Sequence, residues 1–176
     1  MQSGDGKLNG RRGGGTMLYT PAERERRDAS VWTLVQGILA PIQFLIFAVS
    51  LALVVRYLAT GEGLGLATGS VIAKTIALYT IMVTGAIWEK VVFGRYLFAP
   101  AFYWEDVFSM LVIALHTAYV AALLLDIGTD RARLILALAA YATYVINAGQ
   151  FILKLRAARL GAAAQAADAT AGMAAA

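Results

Sequence analysis

The sequence predicts an all-α integral membrane protein: a bundle of four transmembrane helices with both termini in the cytoplasm. Three observations carry this. Hydrophobic residues make up 60% of the 176 and charged residues 15%, against about 25% charged in an average soluble domain. The apolar residues gather in four runs of roughly 20 or more, long enough to cross about 30 Å of hydrocarbon. Lys and Arg are also unevenly shared between the ends of these runs. The N-terminal segment holds six. Lys90 and Arg95 lie between the second and third runs, and Lys154, Arg156 and Arg159 end the fourth, so one side carries eleven. Arg56, Lys74, Arg131 and Arg133 put four on the other. The richer side is the cytoplasmic one.

The elements follow in order. Residues 1–19 are rich in Gly and polar residues and read as a disordered extension, too poor in apolar bulk to offset the entropy of ordering. Met1 and Met17 both offer a start, and the sequence does not choose between them. No cleavable signal peptide is expected, because the first apolar run is too long and others follow it. A single catalytic domain is expected over 20–159. Thr20, Pro21 and Glu23 form a helix start, with Thr20 as the cap, Pro21 at the first helical position and Glu23 closing a capping box. The first membrane helix runs over about 31–57 with Pro41 inside it, where a kink is expected. A Gly-rich loop (TGEGLG) leads to the second, about 70–93. The aromatic connection GRYLFAPAFYW suits the headgroup level. The third helix covers about 105–125. A polar turn containing Gly128 precedes the fourth, about 132–154, and residues 160–176 are an Ala-rich tail.

Composition excludes several chemistries. There is no cysteine, which removes disulfides, thiolate nucleophiles and thiol-bound clusters. The single histidine, His116, cannot build a bis-histidine haem or a multi-histidine metal site. No resident cofactor is therefore expected. Basic residues crowd at helix ends rather than along a stripe, which argues against a nucleic-acid partner.

Polar side chains at membrane depth are costly and are functional candidates by default. Gln36, Gln43 and Ser50 recur every seven residues on one face of the first helix, continued by Tyr57. Glu105, Ser109, Val112 and His116 share a face of the third, with His116 about 16 Å beyond Glu105. Thr143, Asn147, Gln150 and Lys154 share a face of the fourth. Interhelical hydrogen bonding and ligand contact both account for these faces. Glu89 follows Trp88, and Glu105 and Asp106 follow Trp104, so the aromatic connection joins two acidic groups at the cytoplasmic side. They serve as interfacial ion pairs and dipole partners on one reading, and as general acids desolvated by aromatic neighbours on the other.

Three stretches are more specific. Residues 82–119 (MVTGAIWEKVVFGRYLFAPAFYWEDVFSMLVIALHTAY), 32–44 (WTLVQGILAPIQF) and 141–151 (YATYVINAGQF) resemble the 3-vinyl bacteriochlorophyllide hydratase family, and the resemblance spans roughly 19–159. It implies a hydro-lyase of bacteriochlorophyll synthesis in the inner, photosynthetic membrane of a phototrophic bacterium. Such an enzyme adds water to the C3 vinyl group of a magnesium chlorin to leave a 1-hydroxyethyl group. Its partners would be that chlorin, the lipid bilayer and other pigment-biosynthesis enzymes. On this reading Glu89, Glu105 and Asp106 supply acid and base, and His116 ligates the chlorin magnesium or orients water. Gln43, Asn147 and Gln150 hold water or ring carbonyls. Tyr103 and Trp104, with Tyr96 and Phe102, stack on the macrocycle, and Lys90 or Arg95 meets the propionate. A non-catalytic pigment binder or assembly factor is the competing reading.

Overall fold

The computed structural model describes residues 18–174; the glycine-rich stretch 1–17 lies outside them. Five α-helices follow one another: α1 (Pro21–Ala29), α2 (Val31–Thr60), α3 (Leu64–Phe93), α4 (Tyr103–Leu124) and α5 (Asp130–Ala174). The last four are long and apolar enough to cross a membrane.

Capping residues set the breaks between helices. Thr20 and Glu23 make the reciprocal capping box at the start of α1. Ser30 ends α1 and caps α2 by accepting the Trp32 N–H. Gly61 closes α2 in the left-handed conformation that only glycine adopts freely, φ 76°. α3 then begins at Leu64, a turn and a half before the expected start near Ser70, and its first turns carry Gly65 and Gly69. Glycine disfavours helix in water. In hydrocarbon an unpaired backbone costs more, and these turns bury Ala67 and Val71 completely. The shift places Lys74 ten residues inside the helix. The charge distribution in the sequence counts it among the flanking charges; the fold instead buries it in the bundle.

Two further boundaries differ from the sequence reading. Tyr19, expected within the loose extension, is buried against Phe93 and Phe102 with ring centroids 5.7 and 6.3 Å away. α5 continues unbroken through the Ala-rich stretch to Ala174, because alanine is the best helix former. At 45 residues it rises about 68 Å, well beyond a bilayer's thickness.

α2 lies along α3 and α4 along α5, making two tight hairpins. The hairpins meet through fewer contacts, α2 with α5 and α3 with α4 and α5, while α1 folds back onto α3. Large apolar side chains such as Leu34, Leu45, Leu66, Ile76, Leu111 and Ile152 point outward to lipid. Gln43, Ser50, Lys74, Glu89, Glu105, Asp106, Ser109, His116 and Asn147 are buried. The predicted heptad face of α2 is inward: Gln36 donates to Thr84 of α3 at 2.8 Å, and Ser50 bonds both Ser70 of α3 and Tyr141 of α5.

Candidate active site

Two levels of buried polar residues stand out, one at the end of the bundle nearest the α3–α4 connection and one near its middle; Arg133, also buried, pairs with Asp126 at the opposite end. The first is built from the C-terminal end of α3, the N-terminal end of α4 and the far part of α5. Glu89 Oε2 accepts the backbone N–H of Ala99 at 3.2 Å, and Asp106 Oδ2 accepts that of Phe98 at 2.7 Å. Phe98 stands at φ 57°, a left-handed conformation costly for a residue with a side chain. The two carboxylates thus pin a strained connection, which in turn aims them at one another. Glu89 and Asp106 come within hydrogen-bonding reach of each other. Glu105, one residue earlier, points elsewhere: Lys154 Nζ donates to its Oε2 at 2.6 Å, and Glu105 is only 7% exposed at its side chain.

An aromatic wall closes this level. Phe102, 2% exposed, packs on Trp88, Phe93, Tyr19 and Phe151, with Lys154 Nζ 5.0 Å above its ring. Trp88 Nε1 donates to Thr33 Oγ1 at 2.9 Å, and Arg26 of α1 donates to the Val92 carbonyl at 2.8 Å, which fastens α1 over the same end.

α5 adds two amides. Asn147 Nδ2 donates to Ser109 Oγ at 2.8 Å. α4 and α5 are antiparallel, so Gln150, one turn along, stands level with Asp106, about 4.5 Å beyond Asn147. Asn147 Oδ1 and Gln150 Oε1 are buried without a hydrogen-bond partner among the described residues. Two adjacent free acceptors suit a water molecule, which uses both its hydrogens on them and keeps a lone pair free.

The middle level centres on His116, fully buried about 15 Å from Asp106 along α4. Its Nδ1 faces the Val112 carbonyl at 2.8 Å. That contact requires Nδ1 to carry hydrogen, which leaves the Nε2 lone pair bare; Nε2 has no partner among the described residues. A backbone carbonyl on one ring nitrogen and a free lone pair on the other is the arrangement of metal-ligating histidines. Tyr141 packs beside the ring at 5.8 Å between centroids.

The other residues singled out in the sequence lie around these levels. Gln43 is buried on α2. Lys90 caps its own helix by donating to the Gly94 carbonyl at 2.9 Å, and Arg95 reaches the Phe98 carbonyl at 3.4 Å; both are exposed. Tyr103 and Trp104 stack edge-to-face at 5.5 Å on the outside, 48% and 67% exposed, so the aromatic residue that faces the interior is Phe102. Lys74, a lone cation in an apolar run, is buried in α3 against the Tyr144 ring. No group of three or more His, Cys, Asp or Glu able to hold a metal ion occurs among the described residues.

Known proteins resemble this chain over most of its length. Residues 19–157 match the family described as 2-vinyl bacteriochlorophyllide hydratase. A protein of that name from Rhodobacter capsulatus is 70% identical over 148 residues, 84% of this chain and 86% of the relative. Another from Cereibacter sphaeroides is 70% identical over 143 residues, 81% and 89% of the two chains. No solved structure matches.

Proposed function

The chain belongs to the 2-vinyl bacteriochlorophyllide hydratase family, and from that premise we propose that it is a hydro-lyase adding water to the vinyl group of a bacteriochlorophyllide within its own bundle. The vinyl group numbered 2 in the relatives' names is the C3 vinyl of the other macrocycle convention. The observation that carries a site for this chemistry is the Glu89–Asp106 carboxyl pair level with two free amide oxygens.

The reaction needs a proton on the terminal vinyl carbon, then a water oxygen on the next. Two carboxyl groups at hydrogen-bonding reach share a proton, since both cannot carry charge side by side. That proton moves to the terminal carbon, which becomes a methyl group. The positive charge falls on the carbon attached to the macrocycle and spreads into the ring. Water held by Asn147 and Gln150 attacks that carbon, and the proton it releases returns to the carboxyl pair, restoring the starting state. Glu105, neutralised by Lys154, keeps a second negative charge from adding to the pair and holds α4 to α5. His116 Nε2 ligates the magnesium of the substrate, with the macrocycle standing along the bundle axis and its vinyl edge turned toward the carboxyl pair. Lys90 and Arg95, exposed at the mouth, meet the propionate.

Orientation supports this scheme. With Lys74 inside the bundle, three basic residues remain at the α2–α3 and α4–α5 ends, against eleven on the side of the termini and the α3–α4 connection. Both termini and the carboxyl level therefore face the cytoplasm of a photosynthetic inner membrane. The decisive experiment incubates purified protein with a 3-vinyl bacteriochlorophyllide in oxygen-18 water. One labelled hydroxyethyl oxygen per pigment is expected. Pigment that is bound but returned unlabelled would leave only the passive-binder reading.

A further inference from the structure

Lys74 is fully buried in α3, and its Nζ has no hydrogen-bond partner among the described residues. The Tyr144 ring lies 3.6 Å from Nζ, covering one side of it, and Tyr144 belongs to the opposite hairpin. Lys74 stands ten residues from Leu64 and His116 eight from Leu124, so both lie about 12–15 Å from the same end of the bundle. Lys74 is also near enough to act electrostatically on His116. One level thus presents a bare N–H donor from one hairpin and a bare lone pair from the other, both at the seam where the hairpins meet most loosely.

An amine at this depth without an oxygen acceptor is costly, because its N–H bonds lack a hydrogen-bond partner. The cation–π contact with the Tyr144 ring offsets part of that cost. A ligand oxygen would offset the rest. We infer that Lys74 is a substrate-binding residue, whose Nζ donates to the ring ketone oxygen of the macrocycle while His116 holds the magnesium; this rests on the hydratase reading above. The ketone is the matching group by position. On a chlorin it lies diagonally across the ring from the vinyl group. A pigment whose magnesium sits on His116 and whose vinyl turns toward the Glu89–Asp106 end directs its ketone the other way, toward the α2–α3 end of the bundle. The donor therefore fixes which edge of the macrocycle enters first.

The test titrates purified protein in micelles with the 3-vinyl pigment and reads its absorption. It compares the parent with Lys74→Met, and the natural pigment with one whose ring ketone is replaced by a methylene. Lys74→Met is expected to bind the ketone pigment at least tenfold more weakly, yet to bind the methylene pigment as the parent does. Free of ligand it is expected to melt at a higher temperature than the parent, since it removes an unpaired buried polar group. Lys74→Gln, which keeps N–H donors at shorter reach, should fall between the two in affinity. Equal affinity of parent and Lys74→Met for the ketone pigment overturns the inference. So does a lower melting temperature with equal losses toward both pigments, which would make Lys74 structural. Loss of the discrimination on esterifying the propionate, rather than on removing the ketone, also overturns it. A parent that binds no vinyl pigment overturns the hydratase reading as well.

Discussion

Replacing Glu89 with Gln tests the proton donor with little disturbance to the fold. The amide oxygen of Gln still accepts the Ala99 N–H, now 3.2 Å from Glu89, and its NH₂ replaces the carboxyl as donor toward Asp106. The connection that holds Phe98 at φ 57° keeps both its anchors. What is lost is the one transferable proton. General acid catalysis contributes about 10²–10⁴-fold, which corresponds to about 2.7–5.4 kcal/mol of barrier at 1.36 kcal/mol per tenfold. Glu89→Gln should therefore lower kcat for hydration by at least about 100-fold, with the pigment's Kd within about threefold of the parent. Asp106→Asn should behave alike. On the shared-proton scheme proposed above, the double variant should be no slower than the worse single one. The assay follows conversion of vinyl to hydroxyethyl pigment by absorption, alongside a binding titration and membrane protein levels. Glu89→Gln turning over near the parent rate at normal abundance would refute the assignment. Multiplicative losses in the double variant would refute the shared proton.

Further outcomes follow from the same geometry. Asn147→Leu removes one holder of the attacking water and the bond to Ser109, so kcat should fall about 10–100-fold with KM little changed; an effect confined to KM would count against it. His116→Leu should weaken pigment binding and alter the absorption of whatever pigment still binds, as expected on loss of an axial ligand; an unchanged bound spectrum would remove His116 from the magnesium. Lys154→Met leaves the buried Glu105 carboxylate unpaired and should cost about 3–5 kcal/mol in thermal unfolding, with Glu105→Gln added to it recovering most of that. In intact spheroplasts, Glu62→Cys should react with an impermeant maleimide while Arg95→Cys should not, and the reverse pattern would invert the topology; the chain has no native cysteine to interfere.

Much of this protein was legible in the sequence because hydrocarbon imposes simple rules. Four long apolar runs have no alternative but helix, since only helix pairs its own backbone there. The same rule made the recurring polar positions visible: Gln36, Gln43 and Ser50, then Glu105, Ser109 and His116, then Asn147 and Gln150, each stand out against an apolar background and turn inward together. The capping box at Thr20 and Glu23 is local chemistry and needs no partner. Family membership likewise follows from the order of residues alone.

What the sequence left open depends on partners distant in the chain. The start of α3 turned on Ala67 and Val71 packing into α2, a tertiary gain that outweighs the glycines in its first turns, and with it went the burial of Lys74. Three carboxylates near one connection looked alike in sequence. Lys154, forty-nine residues away, takes Glu105 into an ion pair, and the Phe98 and Ala99 N–H groups draw Asp106 and Glu89 together. Tyr103 and Trp104 turned outward while Phe102 turned in, a choice made by where α4 begins. Hydropathy fixes which segments cross a bilayer, because each segment meets the lipid on its own. Which acid has a charge partner and which lies beside a second carboxyl is set by the distances between helices, and these exist only once the two hairpins have met.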